Sequence, residues 1–324
     1  MSFKFLGVGS PLLDILLPVD EAFLAAHVPG SKGGMEPLSS DGIDLIINSG
    51  NTKPLILPGG AAGNTVFALS QMGVDARLFG KIATDERAGI YRRFCRECQV
   101  GTDCLCVSDS GSTGCCLVLI TPDAERTMRS DLGVSLELTL PELAKADFSR
   151  YDAVLTEGFM AYSRIFPELL HRIKASGSYL ALDLSSFEVV KQFYCQLDDL
   201  VFKYVDLLIA NQDEAEAFTG CREPEEIFAE LQKRGIRDAV IKCGKNGAYL
   251  QVSGERCHVP ALPVSPVVDT TAAGDLWCAG YFYGRSDNRS LEECGRLGSA
   301  FASEVIRQTG SLLPAGAIEK LKQL

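Results

Sequence analysis

Two aspartates bracket a run of small residues near the end of the chain. Residues 269–275 read DTTAAGD, and the apolar segment LWCAGYFYG follows directly. If a helix begins near Gly274, its first amides have no intrahelical acceptor, and with the positive helix end they can hold an anion. The residues whose amides would form this anion hole are Ala272, Ala273, Gly274 and Asp275. Small side chains let a phosphate group approach the backbone closely, so the pattern predicts a phosphate site.

The carboxylate of Asp275 would lie beside that phosphate site. There it can accept the proton of an attacking hydroxyl group, which is the task of the general base in phosphoryl transfer. Aspartate is also a favoured helix N-cap, so this stretch by itself leaves a catalytic base and a cap as alternatives.

A second run of small residues precedes a helical pattern in PGGAAGNTVFALSQMG, residues 58–73. Gly59 and Gly60 expose backbone to a ligand, and the amide of Asn64 can both donate to and accept from vicinal hydroxyl groups. An ordinary turn between a strand and a helix would have the same composition. The stretch is therefore a candidate site for a hydroxylated substrate.

Short apolar runs alternate with helical patterns along most of the chain. This alternation predicts right-handed βαβ units and an α/β fold with a mostly parallel sheet. Ligands bind such sheets beyond the carboxyl ends of the strands. Asn211, Gly244 and the segment before Asp269 lie at or near such ends, so they are candidate binding positions.

Two stretches interrupt the alternation, residues 15–58 and 104–130. The second contains TGCCLVLITPDAERTM, which predicts a hairpin with Pro122 and Asp123 in its turn. We expect these stretches to form a small β-rich lid over the active cleft. The sequence has no internal repeat and no low-complexity linker, so residues 1–324 are expected to form a single domain carrying this lid.

Composition excludes several classes of function. The net charge of −11 disfavours a nonspecific nucleic-acid binder, because a phosphate backbone would be repelled. No run reaches the roughly 18 apolar residues of a membrane span, and the first residues do not resemble a secretory leader. We therefore expect a cytoplasmic protein with no nucleic-acid or membrane partner, whose 12 cysteines are mostly reduced.

Four of the cysteines are clustered, at positions 95, 98, 104 and 106. Their number suggests zinc, but a second CxxC is missing. The segment around Cys95 and Cys98 has the pattern of an amphipathic helix, and CLCV that of a strand, so core packing is the preferred interpretation.

The stretches GGAAGN and DTTAAGD, in this order, resemble the PfkB (ribokinase-like) family of carbohydrate and nucleoside kinases. The resemblance extends over almost the whole chain, through GSPLLDI, ANQDEAEAFTG and VIKCGKNGAYL. It implies a three-layer α/β/α sandwich with a mostly parallel central sheet and a small β-rich lid. It also implies an ATP-dependent kinase that phosphorylates a primary hydroxyl group (CH₂OH) of a sugar or nucleoside.

The resemblance implies a role for particular residues. Asp275 is implied as the general base, with residues 272–275 as the anion hole for the γ-phosphate, and Asp14 as a ligand of substrate hydroxyls. Residues implied near the nucleotide are Asn211, Glu214, Lys242, Gly244 and Gly247. Glu214 is further implied to organise Mg²⁺ through water. Asp269 and Thr271 match positions that supply oxygens to a monovalent cation such as K⁺.

The acceptor substrate stays open between a nucleoside and a sugar. Residues 12–38, TPDAERTM and TEGFM resemble the adenosine kinase-like branch, but kinases of ribose, fructose and keto-deoxy acids share much of this pattern. Glu157 can reach a sugar hydroxyl or simply end a strand. The chain departs from the family's usual D-T-x-G-A-G-D at Ala272, and it has Ser10 where many nucleoside-type members have asparagine.

Two functions of other classes are alternatives to a kinase. A non-catalytic sugar or nucleotide sensor would be expected to lose the base or the anion hole, yet Asp275 and Gly274 are present. A dinucleotide-dependent oxidoreductase would need G-x-G-x-x-G after the first strand, and GVGSPLLD lacks the third glycine. The expected partners are a small sugar or nucleoside and ATP, bound by a monomer or by a homodimer formed through the lid.

Overall fold

The computed structural model describes residues 3–123 and 125–324. Apolar runs form the strands and amphipathic segments the helices, as their patterns predict. The strands are β1 (Lys4–Val8), β2 (Leu12–Pro18), β3 (Met35–Pro37), β4 (Leu55–Gly59), β5 (Asp75–Ile82), β6 (Leu105–Val107), β7 (Thr113–Ile120), β8 (Arg126–Gly133), β9 (Ala153–Glu157), β10 (Tyr179–Asp183), β11 (Leu207–Asn211), β12 (Asp238–Lys242), β13 (Ala248–Val252) and β14 (Glu255–Val259). The α-helices are α1 (Glu21–His27), α2 (Ser40–Ser49), α3 (Ala61–Gln71), α4 (Glu86–Glu97), α5 (Leu140–Leu143), α6 (Phe166–Ser176), α7 (Phe187–Gln192), α8 (Tyr194–Tyr204), α9 (Gln212–Thr219), α10 (Pro224–Lys233), α11 (Ala273–Ser286), α12 (Leu291–Val305) and α13 (Ala315–Leu321).

Nine strands form a large sheet in the order β14-β13-β12-β11-β10-β9-β1-β5-β6. Its pairs from β12 through β6 are parallel, and only β13 and β14 join antiparallel. Successive residues of a strand face opposite sides. Phe5 therefore packs in the core formed with α3, α11 and α12, whereas Leu6 packs in the core formed with α6, α8, α9 and α10. The predicted three-layer sandwich with a mostly parallel sheet is confirmed.

Five strands form a small sheet in the order β3-β8-β7-β2-β4. β7 and β8 are the predicted antiparallel hairpin, and Pro122 and Asp123 lie in its turn. The sheet is mixed, because β2 runs parallel to β7, and β3 parallel to β8. Leu105–Val107 lies outside it and instead pairs with β5 at the edge of the large sheet. The small sheet thus begins and ends at slightly different residues from the predicted lid segments.

The clustered cysteines lie in the elements that their patterns predict. Cys95 is in α4 and Cys98 is its C-cap, and both thiols are buried. Throughout residues 3–123 and 125–324, no three His, Cys, Asp or Glu side chains are grouped as a metal ion would require. Within the same ranges, every helix is too short or too polar to cross a bilayer.

Candidate active site

Four neighbouring parallel strands end in polar residues at one edge of the large sheet. The last residues of β9, β10, β11 and β12 are Glu157, Asp183, Asn211 and Lys242. Asp183 pairs with Glu157, and Asn211 with Lys242. The second pair lies two residues farther along the strands, because Asp183 also pairs with Ile209. This edge is where a parallel sheet binds ligands, and it places the predicted nucleotide residues beside one another.

Helix α11 begins at this edge with a strained residue. Ala272, its N-cap, has φ 58° and ψ 8°, in the left-handed region that suits glycine. The amide of Ala273 donates to the Thr270 carbonyl over 3.2 Å, which removes it from the predicted set of anion-hole donors. Among the described residues, the other three predicted amides, of Ala272, Gly274 and Asp275, have no acceptor. Gly274 and Asp275 lie in the first turn of α11, so their amides are the two that remain free to hold an anion at the helix start.

Asp275 lies in the first turn of α11 and is held by α3. Asn64 donates its side-chain amide to Asp275 Oδ2 over 2.8 Å, and Thr65 donates its hydroxyl to the Asp275 carbonyl over 2.9 Å. Burial raises the pKa of Asp275 to about 7. The hydrogen bond from Asn64 opposes this rise, the charge of Asp183 adds to it, and Lys242 again opposes it. The carboxylate can therefore exchange a proton near neutral pH.

Lys242 carries a positive charge to the start of α11. Its Nζ donates to Asp183 Oδ2 over 2.7 Å and lies 3.1 Å from the position that a Cβ atom would have at Gly274. Burial lowers the pKa of Lys242, but the influences of Asp183, Cys278 and Glu214 together outweigh burial, so the pKa is raised. Cys278 also donates its thiol to Asp183, over 3.2 Å. A fixed ammonium group thus lies beside the two free amides.

Asp14 comes from the small sheet, on β2. The Gly59 position on β4 faces it so closely that a Cβ atom there would lie 2.6 Å from Asp14 Oδ2. Gly60, with φ 95°, has no room for a side chain either, since a Cβ atom would lie 2.4 Å from the Ser10 carbonyl oxygen. Burial raises the pKa of Asp14 to about 7, and the charges of Asp275 and Asp269 add to the shift.

Glu157 is almost fully buried, and both of its oxygens accept backbone hydrogen bonds. Oε1 accepts from the Ser10 amide and Oε2 from the Ala62 amide, each over 2.8 Å. Burial raises the pKa of Glu157 to about 7, although these hydrogen bonds lower it in part. The structure thus shows Glu157 joining the start of α3 to the segment between β1 and β2.

Asn211 and Glu214 form a capping box at the start of α9. The Asn211 side chain accepts from the Glu214 amide over 2.9 Å, and both oxygens of Glu214 accept from Asn211. Burial, followed by the nearby charge of Asp183, raises the pKa of the Glu214 carboxyl. Asn211 is therefore the N-cap of α9, and the capping box leaves a buried carboxylate close to Asp183.

A cavity of about 620 Å³ opens beside the start of α11. It is bounded by the turn after β12, by the segment before α11, and by α11 and α12. Residues of these four walls include Gly244, Gly247, Leu262, Val267, Trp277 and Ser303. Gly247, with φ 87°, allows the turn to pass within contact of the Val259 carbonyl. The cavity is large and apolar enough for a nucleoside base, and Gly274 is one of the residues that line it.

The two predicted ligands of a monovalent cation are both bound by Arg126. Its Nη2 lies 2.6 Å from Asp269 Oδ1, and its Nη1 donates to Thr271 Oγ1. Burial raises the pKa of Asp269, but the hydrogen bonds from Arg126 and from backbone amides together lower it by more. The pKa of Asp269 is therefore below its usual value. The oxygens proposed for K⁺ therefore already face a guanidinium group.

The sequence patterns selected most of the residues that the structure places at this edge, but they did not select Asp183. It is buried at the end of β10 and contacts both Lys242 and Cys278. The segment SYLALDLS was identified as a strand, and the rule that pointed to Asn211 applies equally to the aspartate that ends it.

The fold and the sequence are similar to those of known kinases. The structure of an adenosine kinase from Sinorhizobium meliloti has a TM-score of 0.88 and 28% sequence identity, and the match covers 100% of this chain and 99% of that chain. A 2-dehydro-3-deoxygluconokinase of Haemophilus influenzae is 25% identical over 293 residues, which cover 82% of this chain and 90% of the relative.

A ribokinase from Arabidopsis thaliana, in complex with ribose and ATP, shares the fold with a TM-score of 0.73 at 19% identity, and the match covers 100% of each chain. The sequence model of the family described as pfkB family carbohydrate kinase matches residues 50–316, which is most of the chain. The chain therefore belongs to the pfkB family of carbohydrate kinases.

Proposed function

We propose that this chain is an ATP-dependent kinase that transfers the terminal phosphoryl group to a CH₂OH group of a nucleoside or sugar. The observation that supports this most directly is the start of α11. There the Asp275 carboxyl, with a pKa near 7, and the two free amides lie in the first turn of the helix, and the ammonium group of Lys242 lies beside them. Phosphoryl transfer needs these three parts, because it depends on positioning and on charge stabilisation.

The base in this proposal is Asp275. Asn64 orients its carboxylate, and Oδ1 is left free to accept the proton of the acceptor hydroxyl. The acceptor oxygen then attacks the phosphorus in line, the bond to the leaving diphosphate breaks, and the proton remains on Asp275. The N–H groups of Gly274 and Asp275 bind the non-bridging oxygens of the phosphoryl group as its charge is redistributed.

Lys242 supplies the positive charge beside these amides, and Asp183 holds its Nζ in place. The charge of Asp183 adds to the raised pKa of both Glu214 and Asp275, so the three carboxyl groups lie near one another, and such oxygen donors fit a hydrated Mg²⁺ ion. When bound, this ion would neutralise charge on the nucleotide phosphates. Glu214 would hold it through water, since both of its oxygens already accept hydrogen bonds.

The acceptor would bind between the two sheets. Asp14 extends from the small sheet toward the site and can accept hydrogen bonds from substrate hydroxyls. Asn64 Oδ1 is buried with no partner among the described residues, so it is a further acceptor for such a hydroxyl. Glu157 acts by fixing the backbone of Ser10 and Ala62 around the acceptor. The small sheet would act as the lid that excludes water.

A nucleoside is the acceptor that the small sheet favours. Asp14 lies on the same face of β2 as Leu12 and Leu16, because alternate residues of a strand share a face. Cys116 and Val118 of β7 pair with Asp14 and Leu16 and extend this apolar face. An apolar surface beside a hydroxyl-binding carboxylate fits a ribose with an attached base, whereas a free sugar would expose hydroxyls to it.

A screen for ADP release tests the proposal. We expect release with a nucleoside, and the alternative acceptors are ribose, fructose, fructose phosphates and keto-deoxy sugar acids. Release with none of them above the rate of ATP hydrolysis would reject the kinase and favour a sensor of sugar or nucleotide.

Replacement of the base gives the sharper test. Asp275→Asn should lower kcat by at least about a thousandfold, since the amide cannot take the proton, while the Kd for ATP measured by calorimetry changes little. Asp287→Asn, at the other end of the same helix, is the matched control and should be fully active. An Asp275→Asn enzyme with substantial activity would show that another group is the base.

A further inference from the structure

Arg126 joins the small sheet to the loop before the catalytic helix. It is the first residue of β8, and its side chain crosses to Asp269 and Thr271, about one turn before α11. Within the described ranges, Arg126–Asp269 is the one ion pair that joins the hairpin of β7 and β8 to that loop. The contact therefore links the small sheet directly to the start of α11.

Both oxygens of the Asp269 carboxylate already have hydrogen-bond partners. Its side chain is only 1% exposed. Oδ1 accepts from the Thr271 amide over 2.7 Å as well as from Arg126, and Oδ2 accepts from the Gly310 amide over 3.0 Å. A buried carboxylate needs a counter-charge, and here the guanidinium group provides it.

These contacts bear on the monovalent cation that the family resemblance implied. Asp269 and Thr271 were its expected ligands, yet each already contacts the same guanidinium group. A K⁺ ion at those oxygens would lie next to a fixed positive charge, which repels it. The side chains present therefore do not fit the ion while Arg126 is in place.

We propose that Arg126 takes the place of the monovalent cation, so that phosphoryl transfer by this chain does not depend on K⁺. This inference rests on the proposed kinase function. Arg126 is a positioning residue in this scheme: it neutralises Asp269, which holds the loop from residue 269 to Ala272 through the Thr271 amide. The loop in turn sets the directions of the free amides of Gly274 and Asp275.

The test compares rates in three salts at equal ionic strength of about 0.1 M. The protein with Arg126 should have the same kcat in potassium, sodium and tetramethylammonium chloride, within about twofold. Arg126→Ala should lose at least about tenfold in kcat in tetramethylammonium, and potassium should restore most of it. Arg126→Lys keeps a cation and should remain insensitive to potassium.

Thermal unfolding provides a readout that does not need activity. Potassium, relative to tetramethylammonium, should raise the Tm of Arg126→Ala but leave the Tm of the unaltered protein unchanged, because only the variant offers a vacant site. Arg93→Ala removes an exposed arginine of α4 and is the matched control, with no response to potassium in either assay. A variant that fails to fold is recognised by its melting curve, and Arg126→Lys then carries the comparison.

The outcomes separate this inference from the proposed function. A rise of tenfold or so in kcat of the unaltered protein with potassium overturns the inference and leaves the kinase intact. An Arg126→Ala variant that is insensitive to potassium in both assays also overturns it. If no acceptor gives ADP in any salt, the proposed function fails, and the melting measurements still decide whether potassium binds only when Arg126 is removed.

Discussion

Opposing influences act on the carboxyl group of Asp275. Burial and the neighbouring charge of Asp183 favour its protonated form, while the hydrogen bond from Asn64 and the charge of Lys242 favour the carboxylate. The resulting pKa of about 7 lets one group serve as a base near neutral pH without being permanently charged. At this scale the chemistry depends on a few contacts that single substitutions can change.

A first prediction concerns the pH dependence of kcat/KM. Because the base must be deprotonated, kcat/KM should fall as the pH drops below about 7, the pKa of Asp275 in the free enzyme. Asn64→Ala removes a hydrogen bond that stabilises the carboxylate, so its acidic limb should move to higher pH, by about half a unit or more.

The control for this measurement is Thr65→Val. Thr65 donates to the backbone carbonyl of Asp275 and not to its carboxylate, so this variant should keep the limb where it is. An unchanged limb in Asn64→Ala would assign the titration to Asp14 or Glu157, whose pKa values also lie near 7.

The sequence was sufficient to select these residues as candidates but not to predict their contacts. Asp275 and Asn64 each follow a run of small residues, which predicts the start of a helix, and both lie in the first turn of a helix. Their hydrogen bond joins positions 211 residues apart, and no local pattern encodes it. The partner of Arg126 was equally unreadable from local sequence, because Asp269, which pairs with its charge, belongs to a distant loop.

Among the elements of the site, α11 begins with a strained backbone. Ala272 has a positive φ, which costs an L-residue about 1–2 kcal/mol relative to the right-handed region. The resemblance had identified this position as one where the family usually has glycine, and the backbone shows the physical reason. The chain accepts this strain at the turn from which the free amides of α11 project.

Ala272→Gly should therefore stabilise the protein. Relief of the left-handed strain exceeds the extra entropy that glycine gives the unfolded chain, so the free energy of unfolding should rise by up to about 1 kcal/mol. Chemical denaturation measures the change, and kcat should be retained. Ala273→Gly, one residue later and inside the helix, is the opposite case and should destabilise by up to about 1 kcal/mol. Equal destabilisation by both would show that Ala272 carries no strain.

The local periodicity of the sequence predicted most helices and strands, but it did not predict which distant strands pair. The hairpin of β7 and β8 follows from two apolar runs around Pro122 and Asp123. The short strand Leu105–Val107 has the same local character, yet it pairs with residues 80–82 of the large sheet. Three residues carry too little pattern to choose a partner, and tertiary packing decided the choice.

At the scale of the whole molecule, acidic groups from both sheets converge on one cleft. Asp14 comes from the small sheet, Glu157 from the large sheet, and Asp275 from α11, and each has a pKa of about 7. The sequence showed an excess of acidic residues over the whole chain but not their concentration at this point. Such a cluster suits a site for cations and hydroxyl groups, and it costs stability when no ligand is bound.

This cost gives a prediction for the stability of the ligand-free protein. The three carboxyl groups bind protons more tightly in the folded state than in the unfolded chain, where their pKa values are about 4. Their favourable contribution is therefore complete below pH 4 and is lost as the pH rises through about 7. Below about pH 5, carboxylates with lowered pKa values, such as Asp85 and Asp269, lose their own contribution.

The free energy of unfolding should thus be greatest near pH 5 and fall between about pH 5 and pH 8, by as much as about 1.4 kcal/mol per pH unit for each proton released. Urea unfolding at a series of pH values, without nucleotide or Mg²⁺, measures this slope. Asp14→Asn should make the slope shallower and raise stability at pH 8, because the neutral amide removes one buried charge, whereas the exposed Asp213→Asn should alter neither. A stability that is flat or rising over this range would mean that the cleft carboxylates are ionised at little cost and that the cluster is well solvated.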